Sequence, residues 1–181
     1  RDDSYKKSHI VNGLKTDSIS NLISDFDWNN ITDGTPTKIF HGDLQFDNVI
    51  YGNDRNFYLL DWRQNFNEGI IGDVYYDLGK LYHAIMINGQ SILKDMFSHE
   101  TKGNTASVQF YAKSNLVYFM DVFEKFCKDN GYDWNVVELL GILQYFNICT
   151  LYDNFKDGRY GKFLFLYGKY LLAKYQRDNN G

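Results

Sequence analysis

The sequence predicts a mainly α-helical fold with one small β-hairpin, and three observations carry that reading. Apolar residues recur at helical spacing over most of the 181 residues, while Thr37 to Gly72 changes to short runs rich in β-branched and aromatic side chains. The chain also holds a single proline with 18% aromatic residues, which suits long helices better than a loop-rich sandwich. At 44% hydrophobic and 23% charged it should bury one core, so residues 1–181 are read as a single domain.

In the first block, Ile10, Leu14, Ile19, Leu22, Ile23 and Phe26 follow a rough 3.6-residue period, which predicts helix up to the breaker cluster Asp33-Gly34-Thr35-Pro36. In the second, residues 37–72, Gly52 to Asn56 is turn chemistry between two strand-like runs, so Asn48 to Tyr51 and Phe57 to Asp61 should pair as a hairpin. The third, residues 73–181, reads as a helical subdomain. Asp73 is placed to N-cap a helix that carries Val74, Leu78, Leu81, His83 and Ile85. Further helices are expected near 114–129, 135–155 and 160–176. Leu116, Phe119, Phe123 and Phe126 form one core stripe, and Ile142, Tyr145, Phe146, Cys149, Tyr152 and Phe155 another. Thr105 to Tyr111 alternates like a strand and interrupts the helices.

Composition removes several function classes. A net charge of −4 leaves no surplus of positive charge for a nucleic-acid backbone or an anionic membrane surface. No apolar run approaches the roughly 18 residues of a membrane span, because Glu138, Gln144 and Asn147 break the most apolar stretch. Cys127 and Cys149 lack metal or disulfide spacing and fit buried thiols in a reducing cytoplasm, the expected location. The opening RDDSYKKSH has no signal-peptide core and begins without Met, so the chain is expected to be a piece of a longer protein.

Chemistry concentrates in HGDLQFDN, His41 to Asn48, and LLDW, Leu59 to Trp62. Asp43, Asn48 and Asp61 lie beside expected strand ends, where a hairpin would bring them together. Magnesium takes one or two carboxylates, an amide oxygen and waters, which suits Asn48 and Asp61, and Asp43 is then free to act as base for an attacking hydroxyl. Any one of these residues alone would more often be a turn or capping residue; the joint pattern is what carries the reading. Asp73 and Asp77 also suit a first helical turn without any chemistry. Trp62, Tyr75 and Tyr76 could contact a cationic acceptor through their rings, although aromatic packing accounts for them equally well.

The H-x-D-x-x-x-x-N pattern followed by a strand ending in Asp resembles the catalytic loop and metal-binding aspartate of the protein-kinase-like fold. With HGDL, LLDW and IGDVYYDLGKLYHA, the chain is similar to the aminoglycoside phosphotransferase and choline kinase family, and not to protein kinases, which carry Arg after the His and Phe-Gly after the metal Asp. The resemblance covers Lys38 to about Ala84 by motif. It implies the C-terminal lobe of such a fold, with Asp43 catalytic, Asn48 and Asp61 as Mg²⁺ ligands, His41 bracing the loop and Asp77 supporting it. DWRQNF with GDVYYDLGKLYH resembles, by a shorter match, phosphotransferase-family proteins associated with bacterial capsule and surface polysaccharides.

The family places a β-rich nucleotide lobe of roughly a hundred residues before this loop. Here only about 40 residues precede Asp43, without G-x-G-x-x-G or an apolar strand ending in Lys. That lobe is expected to lie outside this chain, as its partner within the same protein. The implied function is ATP-dependent, Mg²⁺-assisted phosphoryl transfer to a hydroxyl of a small molecule such as a sugar, choline or an aminoglycoside, with the isolated chain inactive. The alternative is a non-catalytic binding or scaffolding module derived from a kinase. A two-metal phosphoesterase would need more histidines near the carboxylates than His41 alone.

Overall fold

The computed structural model describes residues 6–24, 26, 28–31, 34–63 and 71–179, of which about 54% are helical. In chain order the elements are β1 (His9–Val11), β2 (Leu14–Thr16), α1 (Ile19–Ser24), β3 (Pro36–Thr37), β4 (Val49–Tyr51), β5 (Phe57–Leu59) and β6 (Gly72–Asp73). They continue with α2 (Val74–Met86), α3 (Gly89–Leu93), β7 (Phe97–Lys102), β8 (Thr105–Phe110), α4 (Ser114–Asp129), α5 (Trp134–Cys149) and α6 (Arg159–Asn179). Among the described residues no helix is long and apolar enough to cross a membrane. The chain divides into two compact units, Arg1–Trp28 with Ser91–Tyr111 and Ile142–Gly181, and Asn29–Gln90 with Ala112–Gly141.

The first unit is a four-stranded sheet in the order β2-β1-β8-β7, covered by α6. β1 runs antiparallel to β2 and parallel to β8, and β8 is antiparallel to β7. Val11, Ala106, Val108 and Phe97 from the sheet are buried, as are Phe163, Leu164, Leu166 and Leu172 of α6. Phe97 and Phe163 approach to 5.1 Å between ring centroids. Lys169, fully buried on α6, donates to the Lys7 carbonyl at 2.7 Å and meets His9 Nδ1 at 2.9 Å. Burial lowers its pKa to about 8.

This unit corrects the helical expectation for the opening block. Residues 9–16 form the β1–β2 hairpin, turned by Asn12 and Gly13 at φ 48° and 81°, the left-handed pair that a two-residue turn requires. Helix begins only at Ile19, where Ser18 Oγ accepts from the Asn21 amide. Asp33, the expected end of that block, lies outside the described residues. The strand-like stretch at Thr105 is real and acquires a partner, β7, so the β content exceeds one hairpin. α5 stops at Cys149, short of the expected 155, giving way to a 3₁₀ turn over Thr150–Tyr152 and positive φ at Lys156, Asp157 and Gly158. Asp157-Gly158 is turn chemistry that an apolar stripe does not weigh.

In the second unit α2 packs on α4 around Leu78, Tyr82, Ile85, Phe123 and Cys127, joined by Val137 at the start of α5. α4 spans 114–129 as expected, yet its stripe is rotated: Leu116, Met120, Phe123 and Cys127 face the core, whereas Phe119 and Phe126 are 38% and 49% exposed. Cys127 and Cys149 are free buried thiols, and burial pushes Cys127 up to about 11. β4 and β5 pair antiparallel with Ile50 opposite Tyr58, which is the expected hairpin. β3 and β6 form a second, two-residue pair that leads the chain into α2.

Candidate functional site

The site is built on the loop between β3 and β4 and on the first two turns of α2. Asp73 caps α2 as expected: its carboxylate accepts from the Tyr75 amide at 2.8 Å and from the Thr35 amide at 3.2 Å. One turn further, buried Asp77 aims its carboxylate at the loop, where Oδ1 accepts from the Gly42 amide at 2.8 Å and Oδ2 accepts from the His41 amide. Two loop amides that no strand pairs are thereby satisfied by one charge. Gly42 adopts φ 78°, and a Cβ there would stand 2.8 Å from Arg63 Cβ, so the position excludes side chains on both counts.

His41 is buried and bridges the two halves of the motif. Its Nε2 lies 2.7 Å from the Leu60 carbonyl, which can only accept, so the ring hydrogen sits on Nε2 and Nδ1 is left to accept from the Asp43 amide at 3.2 Å. The ring also packs on Trp62 at 5.4 Å. Both ring nitrogens of His41 thus link Leu60 to Asp43.

Asp43 sits at the centre of a polar cluster. Asn48 Nδ2 donates to its carbonyl at 2.9 Å and to Oδ2 at 3.3 Å, and Gln45 Nε2 donates to Oδ2 at 3.2 Å. Oδ1 is paired with Lys80 Nζ at 3.1 Å. A 3₁₀ turn over Phe46–Asn48 carries buried Asn48 back toward Asp43, and the Leu60 amide donates to the Asn48 carbonyl at 2.9 Å. Arg63 in turn donates its amide to the His41 carbonyl at 3.0 Å. Asp61 is thus held between two anchored neighbours, with φ 54° and an exposed side chain. Left-handed backbone is tolerated by Asp better than by most side chains.

By type, the oxygen donors of Asn48 and Asp61 are those a hard divalent cation takes. Both amide hydrogens of Asn48 are spent on Asp43, which leaves Asn48 Oδ1 as an acceptor, and Asp61 adds an exposed carboxylate. Among the described residues no three His, Cys, Asp or Glu side chains form a metal cluster, but one amide and one carboxylate with water is a different donor set.

Lys80 and Gln45 are the members that sequence reading missed. Lys80 follows Asp77 by three residues, so both lie on one face of α2, and that spacing was the available signal. The aromatic candidates are engaged in separate ways. Trp62 lies on His41, Tyr75 packs edge-on to Tyr132 at 5.8 Å while its hydroxyl accepts from the Asp133 amide, and Tyr76 is half-buried on α2. A cavity of about 170 Å³ is lined by Gly34, Asp73, Tyr75, Asp133 and Leu140, and by neither Asp43 nor Asn48. Compared with protein-family models, curated proteins and solved structures, the chain matches none of them.

Proposed function

We propose that this chain carries the transfer site of an ATP-dependent phosphotransferase that acts on a hydroxyl of a small molecule, a sugar, choline or an aminoglycoside-like acceptor of the kind handled in surface-polysaccharide synthesis. On this reading the chain is the C-terminal lobe of a protein-kinase-like fold. The observation that carries it is the fixing of Asp43: its loop is pinned by Asp77 and by His41, and its side chain is aimed by Asn48 and Gln45. Such double fixing is what a positioned base needs, because most of the rate in phosphoryl transfer comes from orientation and charge placement.

The acceptor oxygen attacks the γ-phosphorus, the bond to the β-bridging oxygen breaks with its electron pair leaving on the nucleoside diphosphate, and Asp43 takes the hydroxyl proton. Mg²⁺, where bound, would be held by Asn48 and Asp61 and would supply charge neutralisation for the phosphates. Near the site Tyr51 and Phe57 are 61% and 72% exposed, apolar surface of the sort that interaction sites present.

The test is Mg²⁺-dependent transfer from γ-labelled ATP to a panel of sugars, amino alcohols and aminoglycosides by the protein that carries this chain. Asp43→Asn should lower turnover by roughly 10²-fold or more with the urea midpoint nearly unmoved. The rival reading, a non-catalytic module, is favoured by the same saturation of Asp43, since a carboxylate already met by three side chains can be purely structural. No transfer by the wild-type protein to any acceptor of the panel would decide for that module, and equal measurable turnover in wild type and Asp43→Asn would remove Asp43 from the role of base.

A further inference from the structure

Lys80 is unassigned by the motif, yet it makes the closest charged contact to Asp43. Its Nζ lies 3.1 Å from Oδ1, with its side chain 14% exposed against 26% for that of Asp43. An ammonium has three donors, and among the described residues the Lys80 ammonium meets one group, the Asp43 carboxylate, as an ion pair. A partly buried lysine held by a single ion pair is a poor structural device, because desolvation offsets much of what that pair gains. The arrangement makes better sense with a second anion present.

We propose that Lys80 contacts the phosphoryl group at this site, keeping its ion pair with Asp43 and offering N–H donors to phosphate oxygens. The inference rests on the phosphotransfer reading and deepens it. In that reaction the acceptor oxygen loses its proton to Asp43 as it bonds to phosphorus and the bridging oxygen departs with its electron pair. The acceptor oxygen must therefore lie about 3 Å from the Asp43 carboxylate and about 3 to 3.5 Å from phosphorus. A cation already beside that carboxylate stands within contact range of the phosphoryl oxygens, where charge spreads in the transition state. Its source on α2, the helix that pins the loop through Asp77, ties the cation and the base to one rigid element.

The probe is inorganic tripolyphosphate with Mg²⁺, which needs neither the acceptor nor the adenine contacts. Titration of the 181-residue chain, labelled with ¹⁵N and with ¹³C-lysine, follows the Gly42 and Asp43 amides and the Lys80 ε-methylene together by NMR. Saturable shifts of all three signals with one dissociation constant are expected. Lys80→Met should then weaken binding about tenfold or more, as loss of a charge-assisted hydrogen bond implies, and Lys80→Arg should stay within about threefold of wild type. Wild-type binding with a silent Lys80 signal overturns the proposal without any variant, as does an unchanged dissociation constant in Lys80→Met. No saturable shift in wild type at concentrations up to about 20 mM would sink the phosphotransfer reading itself, and the role of Lys80 with it.

Discussion

At Asp77 a single side chain decides whether the loop exists. Its carboxylate is the acceptor for two consecutive backbone amides, those of His41 and Gly42, in a buried setting. Truncation would leave two donors without partners, each at a cost of about 1–3 kcal/mol. Asp77→Ala should therefore lose about 3 kcal/mol or more in urea unfolding and lose tripolyphosphate binding along with it. Asp43→Asn should separate the two, with stability changed by under about 1 kcal/mol, because Asn keeps the shape and an acceptor oxygen at an edge that is partly exposed. If both variants lose the same stability, the division between the residue that holds the loop and the residue that acts from it is wrong. The motif spacing already paired Asp43 with Asn48, which the hydrogen bonds from Asn48 Nδ2 show. Lys80 escaped because its spacing from Asp77 reads equally well as an ordinary exposed helix lysine, and only the path of the loop brings Asp43 to it.

Among the elements, α4 shows what periodicity can and cannot tell. Leu116, Met120, Phe123 and Cys127 face the core, while Val117, Phe119, Val122 and Phe126 form a parallel apolar set that is exposed. Two apolar stripes side by side satisfy the same spacing, so the helix was legible and its inward face was not. Phe123→Ala should cost about 3–5 kcal/mol by leaving a cavity, and Phe126→Ala under about 1 kcal/mol. Thermal or urea unfolding of the two variants checks this, and comparable losses would contradict the packing. The opening hairpin failed for a related reason. Ile10, Leu14 and Ile19 fit a helix period, but Asn12-Gly13 adopts the left-handed turn, and Asn12 then spends its side-chain amide on both backbone groups of Val108, ninety-six residues away. No local window contains that partner.

For the whole molecule, pH tests the buried bases. His83 is buried in α2, and burial drops its pKa from 6.5 to about 3; His99 is lowered for the same reason. A base whose folded pKa is depressed binds more protons when unfolded, so stability is intact above the unfolded value and falls as pH drops from 6.5 toward 3. Between pH 7.5 and 5 the unfolding free energy should fall by about 2 kcal/mol through His83 alone. His83→Gln should flatten that slope. A slope as steep in the variant as in the wild type would locate the proton uptake elsewhere. On the alkaline side Lys169, lowered to about 8, gains stability for the fold as pH rises toward 10.5. Cys127, raised to about 11, works against it above 9, so the acid limb is the cleaner measurement.

The sequence by itself determined a mainly helical chain, the α2 cap at Asp73, the β4–β5 hairpin and the pairing of Asn48 with Asp43. These features are local: each depends on a turn, a cap or a spacing that fits within about twenty residues. Only the tertiary structure decided which face of α4 is buried, that β1 joins β8 in a parallel pair, and that a lysine of α2 meets the loop aspartate. Those outcomes depend on where distant segments pack. Packing energy is summed over the whole core, so a period or a motif read along one stretch of chain carries no record of it.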